Sequence, residues 1–136
     1  MKRLTEGVAM MSRTRVLIAL ADPASRRRLS NLLPQQDVEP VFATTMREAR
    51  AVLTHEPVSL VVCEDSLCDG TYRDLLPVAR TRRHDVPVVV TSRVDNPEEY
   101  LEAMKLGAFD FVAEPFSRTE VDRIVHNALH RILAVY

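Results

Sequence analysis

The sequence predicts one α/β domain, a doubly wound five-stranded parallel sheet with helices on both faces. Three observations carry this. Short apolar runs recur five times within 136 residues. Four of the five are followed by a helix-start signal. The runs are also continuously apolar rather than alternating, which suits strands buried on both sides of a parallel sheet. Alternation of this kind takes right-handed crossovers, which place helices on both faces.

Each element has its own signal. Val16–Leu20 is the first strand run. Asp22-Pro23 then supplies an N-cap and a first-turn proline for a helix reaching about Leu33. Val38–Ala43 is the second strand; Pro40 within it predicts a sheet edge, because proline cannot donate to a ladder. Thr45-x-x-Glu48 is a capping box for helix two, which ends before Pro57. Ser59–Cys63 is strand three. Pro77 would cost about 3 kcal/mol inside a helix. Helix three is therefore expected to start late, with Asp74 as N-cap, after an unusually long loop. Pro87–Thr91 is strand four. Asn96-Pro97 opens helix four, Glu98 and Glu99 favour its positive end, and Gly107 stops it. Phe109–Ala113 is strand five. Ser117-x-x-Glu120 caps helix five, whose stripe runs Val121, Ile124, Val125, Ala128, Leu129, Ile132, Leu133. Residues 1–12 are expected to be a flexible segment and 13–136 the domain.

Composition narrows the function classes. The net charge of -1 gives no electrostatic support for binding nucleic acid or an anionic membrane. Charge is unevenly spread, however. Residues 1–83 hold 13 basic and 10 acidic side chains, and residues 84–136 hold 5 and 9. Within 84–122 the balance is nine acidic to three basic. Two cysteines, Cys63 and Cys68, make neither a disulfide framework nor a metal quartet. Cys63 reads as a small buried hydrophobe. No stretch has the pattern of a secretory leader or the length of a membrane span, so a cytoplasmic location is expected. His126 and His130 share a helical spacing that can hold zinc, but no third ligand accompanies them. The arginine runs at 26–28 and 80–83 read as solvated faces.

Two segments carry a family resemblance. Gly107-Ala108-Phe109-Asp110-Phe111-Val112-Ala113-Glu114-Pro115-Phe116 combines a helix stop, a short buried strand and an acidic residue before proline. Val61-Val62-Cys63-Glu64-Asp65-Ser66-Leu67-Cys68-Asp69-Gly70 is an apolar strand ending in acids. Together they resemble the receiver domain of bacterial response regulators, over about residues 14–134. The resemblance implies a flavodoxin-like fold with strand order 2-1-3-4-5. It also implies a role in two-component, phosphorelay signal transduction, exercised by protein–protein contact rather than as an enzyme.

The same resemblance assigns positions to a phosphoacceptor pocket that this chain has altered. Glu64 falls at the phosphoacceptor aspartate. Leu20 and Ala21 replace the acidic pair after strand one, leaving Asp22, which reads first as a helix N-cap. Glu114 replaces the lysine. Ser92 falls at the switch hydroxyl, Arg93 at the small residue after it, and Phe111 at the switch aromatic. The Glu114–Pro115 bond is expected to be cis by analogy. Glu64 reads either as a fixed negative charge resembling a phosphorylated aspartate or as a plain strand-end acid. Two close carboxylates would repel, so Glu64 and Glu114 require protonation, separation or a cation, for which Arg93 is the candidate. No catalytic residue and no cofactor are expected, the magnesium site being lost. The implied partner face is helix four, strand five and helix five, with Glu98, Glu102, Lys105, Asp110, Arg118 and Asp122. It suits a basic protein surface or a homodimer with crossed ion pairs. Three alternatives stay open: phosphorylation at Asp65 after a register shift, a flavodoxin-like cofactor site, and a structural assembly domain.

Overall fold

The computed structural model describes residues 14–34, 38–81 and 85–134, with side chains as far as residue 128. The expected boundary at residue 12 lies outside the described residues, as do the side chains of Leu129, His130, Ile132 and Leu133. Five strands form one sheet: β1 Thr14–Ala19, β2 Val38–Ala43, β3 Leu60–Glu64, β4 Val88–Ser92 and β5 Asp110–Ala113. The helices are α1 Pro23–Leu32, α2 Met46–His55, α3 Leu76–Thr81, α4 Pro97–Lys105 and α5 Arg118–Ala134. The strand order is β2-β1-β3-β4-β5, all parallel, as the resemblance implied. Pro40 does lie on an edge strand.

Alternate residues of each central strand face opposite layers, following the period of two. Leu17, Val61, Cys63 and Val90 pack with Met46, Leu53, Leu75 and Ala103 of the α2–α4 layer. Ile18, Leu60, Val62 and Val112 pack with Leu29 of α1 and Val121, Ile124 and Val125 of α5. Cys63 is fully buried, as its pattern predicts, and burial pushes its thiol pKa far up.

Local signals place most helix ends. Asn96 Oδ1 accepts from the Glu98 and Glu99 amides at 3.1 and 3.2 Å, opening α4. Gly107 follows α4 with φ +105°, a conformation that strains residues with a Cβ. The Arg80 guanidinium packs against Gly107 and donates to the Leu106 carbonyl, so a side chain there would also collide.

The segment after β3 departs from expectation. In place of a long loop, Ser66–Leu67 and Gly70–Thr71 pair as a small antiparallel hairpin, and Tyr72–Asp74 form a 3-10 turn. Asp74 is not the N-cap of α3. Its carboxylate accepts from the Thr71 amide at 3.1 Å and closes a capping box on the 3-10 turn. Pro77 sits second in α3, within the first turn, where a missing amide costs least. Gly70 lies so close to the Asp74 carboxylate that any Cβ would meet it.

Two polar anchors fix this segment. Asp69, at the hairpin tip, accepts from the Met46 and Arg47 amides at 2.7 and 3.0 Å, capping α2. Those two amide bonds hold its carboxyl below the usual range. Thr45 Oγ1 takes the next amide, of Glu48, at 3.1 Å. Tyr72 is fully buried, and its hydroxyl donates to Glu99 of α4 at 3.0 Å. Arg73 stacks over the Tyr72 ring at 4.9 Å and reaches the same Glu99 carboxylate at 3.5 Å. The hairpin is thus joined to α2 at one end and to α4 at the other.

Two predictions follow from the packing. Thr91 Oγ1 is wholly buried with no hydrogen-bond partner among the described residues, facing an apolar cavity of about 20 Å³ beside Leu29, Val89 and Phe116. Thr91→Val replaces an unsatisfied hydroxyl by a methyl of the same shape and should raise stability by about 1 kcal/mol. The urea midpoint should rise with an unchanged slope; a fall would show that the hydroxyl has a partner in solution. Burial, then the Glu99 carboxylate, push the Tyr72 phenol up to about 12. Because the folded value is raised, the contribution of the neutral phenol is complete below the unfolded value near 10. It is lost as pH rises through the folded value. An ultraviolet titration should show one of the three tyrosines ionising late, and Tyr72→Phe should abolish that phase. A late phase that survives the substitution contradicts the assignment.

Candidate functional site

In an open parallel sheet the functional crevice lies beyond the carboxyl ends of the strands. Here that edge gathers Leu20–Asp22 after β1, Glu64 and Asp65 after β3, Ser92 and Arg93 after β4, and Glu114 after β5.

The β1–α1 loop is held from both sides. Leu20 is buried in the core. The Ala21 amide donates to Glu64 Oε1 at 3.1 Å. Arg26 Nη1 donates to the Leu20 and Ala21 carbonyls at 2.7 and 2.9 Å. Sequence reading had Arg26 as part of a solvated run. Its place four residues after the N-cap, one turn into α1, was the available signal. Asp22 is the N-cap of α1, accepting from the Ala24 and Ser25 amides and from the Ser25 hydroxyl at 3.1 Å. Donation by that hydroxyl is the main reason its carboxyl sits below the usual value, with the two amides and Arg93 adding to it.

Arg93 pairs with Asp22 at 3.5 Å, and not with Glu64 or Glu114 as its candidacy suggested. The two glutamates have separate surroundings. Glu64 holds the β1–α1 loop. The Glu114 carboxylate has no hydrogen bond or ion pair among the described residues; it lines a groove with Arg27, Arg28, Arg93 and Pro115. Of the three expected solutions, a cation from Arg93 is not supplied, since Arg93 pairs with Asp22. The Glu114–Pro115 bond is cis. Ser92 is nearly buried, and its Oγ accepts from the Val94 amide at 3.1 Å.

Asp65, the alternative acceptor, is engaged locally. Its carboxylate takes the Ser66 amide at 2.9 Å, its own amide donates to Thr91 O at 2.7 Å, and its carbonyl accepts from Tyr72. Among the described residues, no group of three or more His, Cys, Asp or Glu side chains gathers to hold a metal ion.

The expected partner face is formed as an exposed surface, with one exception. Glu98, Glu102, Lys105, Arg118 and Asp122 are all exposed. Asp110 is mostly covered and pairs with Arg123 at 3.3 Å, so it is engaged within the fold. Phe111, at the switch-aromatic position, is half-buried. It meets Tyr100 of α4 edge-on, ring centroids 6.1 Å apart at 84°. Sequence reading passed over exposed apolar residues in and before α4: Val94, Leu101 and Tyr100 are 64%, 58% and 41% exposed. It also missed Tyr72, whose contact with Glu99 fixes α4 from beneath.

Comparison with known proteins agrees with this architecture. A family model of the response regulator receiver domain matches residues 16–126. The chain is 30% identical over 119 residues to the response regulator protein PilR of Pseudomonas aeruginosa, covering 88% of this chain and 27% of PilR. It is 27% identical to the photosynthetic apparatus regulatory protein RegA of Rhodovulum sulfidophilum, covering 78% of this chain and 58% of RegA. The chain therefore spans between about a quarter and three fifths of these curated relatives. A CheY-like receiver domain from Methanospirillum hungatei superimposes with a TM-score of 0.78 at 20% identity, covering 88% of this chain and 96% of that one. The beryllofluoride-activated NtrC4 receiver domain dimer matches with a TM-score of 0.78 at 23% identity, covering 86% and 97%. No helix of the described residues is long and apolar enough to cross a membrane. Sheet order, strand-end positions and the match over residues 16–126 converge on one conclusion: the chain belongs to the response regulator receiver domain family.

Proposed function

We propose that this receiver domain signals without phosphorylation or a metal, as a non-enzymatic cytoplasmic module that works by binding another protein. The β1–α1 loop carries the reading. The acidic pair is replaced by buried Leu20 and by Ala21, whose amide occupies the Glu64 carboxylate. Phosphoryl transfer rests on positioning and charge neutralisation. An anchored Glu64, an arginine on the loop carbonyls and an acid at position 114 support neither. Glu64 then acts as a fixed strut between β3 and β1, giving the strand ends one state.

The partner surface we assign is α4, β5 and α5, centred on Val94, Tyr100 and Leu101 and rimmed by Glu98, Glu102 and Asp122. An apolar centre with a charged rim is the ordinary make-up of an interface. The acidic rim favours a basic partner surface. The dimeric state of the NtrC4 receiver supports a homodimer as one form of that contact.

Two measurements test this. Incubated with acetyl phosphate and magnesium, the protein should remain a single species by intact mass and phosphate-affinity electrophoresis. A hydroxylamine-labile adduct on Asp65 would overturn the reading and establish the phosphorylatable alternative. Reversing Glu102 and Asp122 to lysine should weaken partner capture or self-association and reduce its salt dependence, with an unchanged circular dichroism spectrum. Partners retained undiminished would move the interface elsewhere.

A further inference from the structure

Helix α4 has little apolar hold on the sheet. Ala103 is its one fully buried residue, whereas α2 buries Met46, Ala49 and Leu53. Burial of an amphipathic face is what ordinarily docks a helix, and one alanine side chain supplies little of it. Met104, Leu106 and the edge-on contact of Tyr100 with Phe111 add partial cover. Polar contacts from the segment after β3 supply the rest. The Tyr72 hydroxyl and the Arg73 guanidinium both meet Glu99 in the first turn of α4. Arg80 donates to the Leu106 carbonyl just past its last turn.

Tyr72 owes its own place to the hairpin. Its amide donates to the Asp65 carbonyl at 3.2 Å, and the Ser66–Leu67 and Gly70–Thr71 pair leads directly into it. The hairpin tip hangs on Asp69, whose two carboxylate oxygens take one α2 amide each. Asp69 is exposed, and with Met46, Arg47, Arg50 and Asp74 it lines an open cleft of about 560 Å³. The anchor is therefore open to contact from outside. This route from β3 to α4 bypasses Ser92 and Phe111, the two switch positions.

We propose that the hairpin is a control element of the α4 face and acts through Tyr72. A contact that frees Asp69 from α2 loosens α4; one that seats Asp69 keeps α4 docked. Tyr72 is then a positioning residue that touches no partner itself. By reciprocity, a partner that stiffens α4 tightens the hairpin. The consequence for binding rests on the assignment of α4 to the partner face; the coupling itself does not.

Hydrogen exchange on the whole chain tests the coupling, read by NMR at the amides of Tyr100, Leu101, Glu102 and Ala103. Tyr72→Phe keeps the ring in the core and removes only the hydroxyl. These amides should then exchange roughly threefold faster or more, with β1 and β3 unchanged. Asp69→Asn leaves one acceptor oxygen for two amides and should give a similar rise in α4, although residue 69 binds α2. The double variant should exceed Tyr72→Phe alone by less than about twofold, because both substitutions act on one route. Thr45→Ala removes another cap of α2 and should leave α4 unchanged. An unaltered α4 in Asp69→Asn, multiplied effects in the double variant, or an equal response to Thr45→Ala overturns the coupling. Uniform acceleration that includes β1 and β3 makes Tyr72 a core packing residue and overturns its positioning role. Each reading stands whether or not Asp65 takes phosphate or α4 binds a partner.

Discussion

Everything in this molecule follows from a parallel sheet whose central strands are apolar on both sides. β1, β3 and β4 are essentially buried along their lengths. Such strands leave water only if helices cover both faces, and the right-handed crossovers of a 2-1-3-4-5 order deliver that cover. Polar chemistry is thereby excluded from the body of the sheet. Thr91 is the local exception, a hydroxyl without a partner among the described residues, lining the α1–α5 layer. The remaining functional polar groups collect where the strands end.

At those ends the fold satisfies most of its polar groups internally, the Glu114 carboxylate excepted. Glu64 takes the Ala21 amide, Arg26 covers two carbonyls of the same loop, Asp22 caps α1, and Asp65 folds onto its own turn. Each bond is modest in net energy, but a buried or half-buried group left unmade would cost more than the bond gains. Collectively they tie the loops at the strand ends to one another. The hairpin after β3 extends this order outward: Asp69 fixes α2 and Tyr72 fixes α4. The α4 surface is therefore mechanically continuous with the segment that follows Glu64, through one phenol, one carboxylate and one stacked arginine.

The surface charge is sorted by the same architecture. Acids concentrate on α4, where Glu98 and Glu99 also favour the helix N-terminus. Arginines concentrate on α1, which has no acid of its own. Near-neutral net charge thus conceals two faces of opposite sign, set apart on the fold.

The sequence by itself determined the sheet, because apolar runs and helix caps are local signals with a fixed period. Asp22-Pro23, Thr45-x-x-Glu48 and Asn96-Pro97 each marked a helix start within one residue. Gly107 marked a stop by its backbone alone. The identity of the strand-end residues was equally legible, since their positions follow from strand ends and motif wording. Their partners were not. Arg93 with Asp22, Arg26 on the loop carbonyls, Asp69 on α2 and Tyr72 on Glu99 join residues from 5 to 71 positions apart, and no pattern in the chain announces which cation meets which acid. The region after β3 failed for a related reason: Pro77 and Gly70 signalled a break. Only the packing of the Tyr72 ring into the core and the reach of Asp69 to the α2 amides decided that the break is a braced hairpin rather than a loose loop.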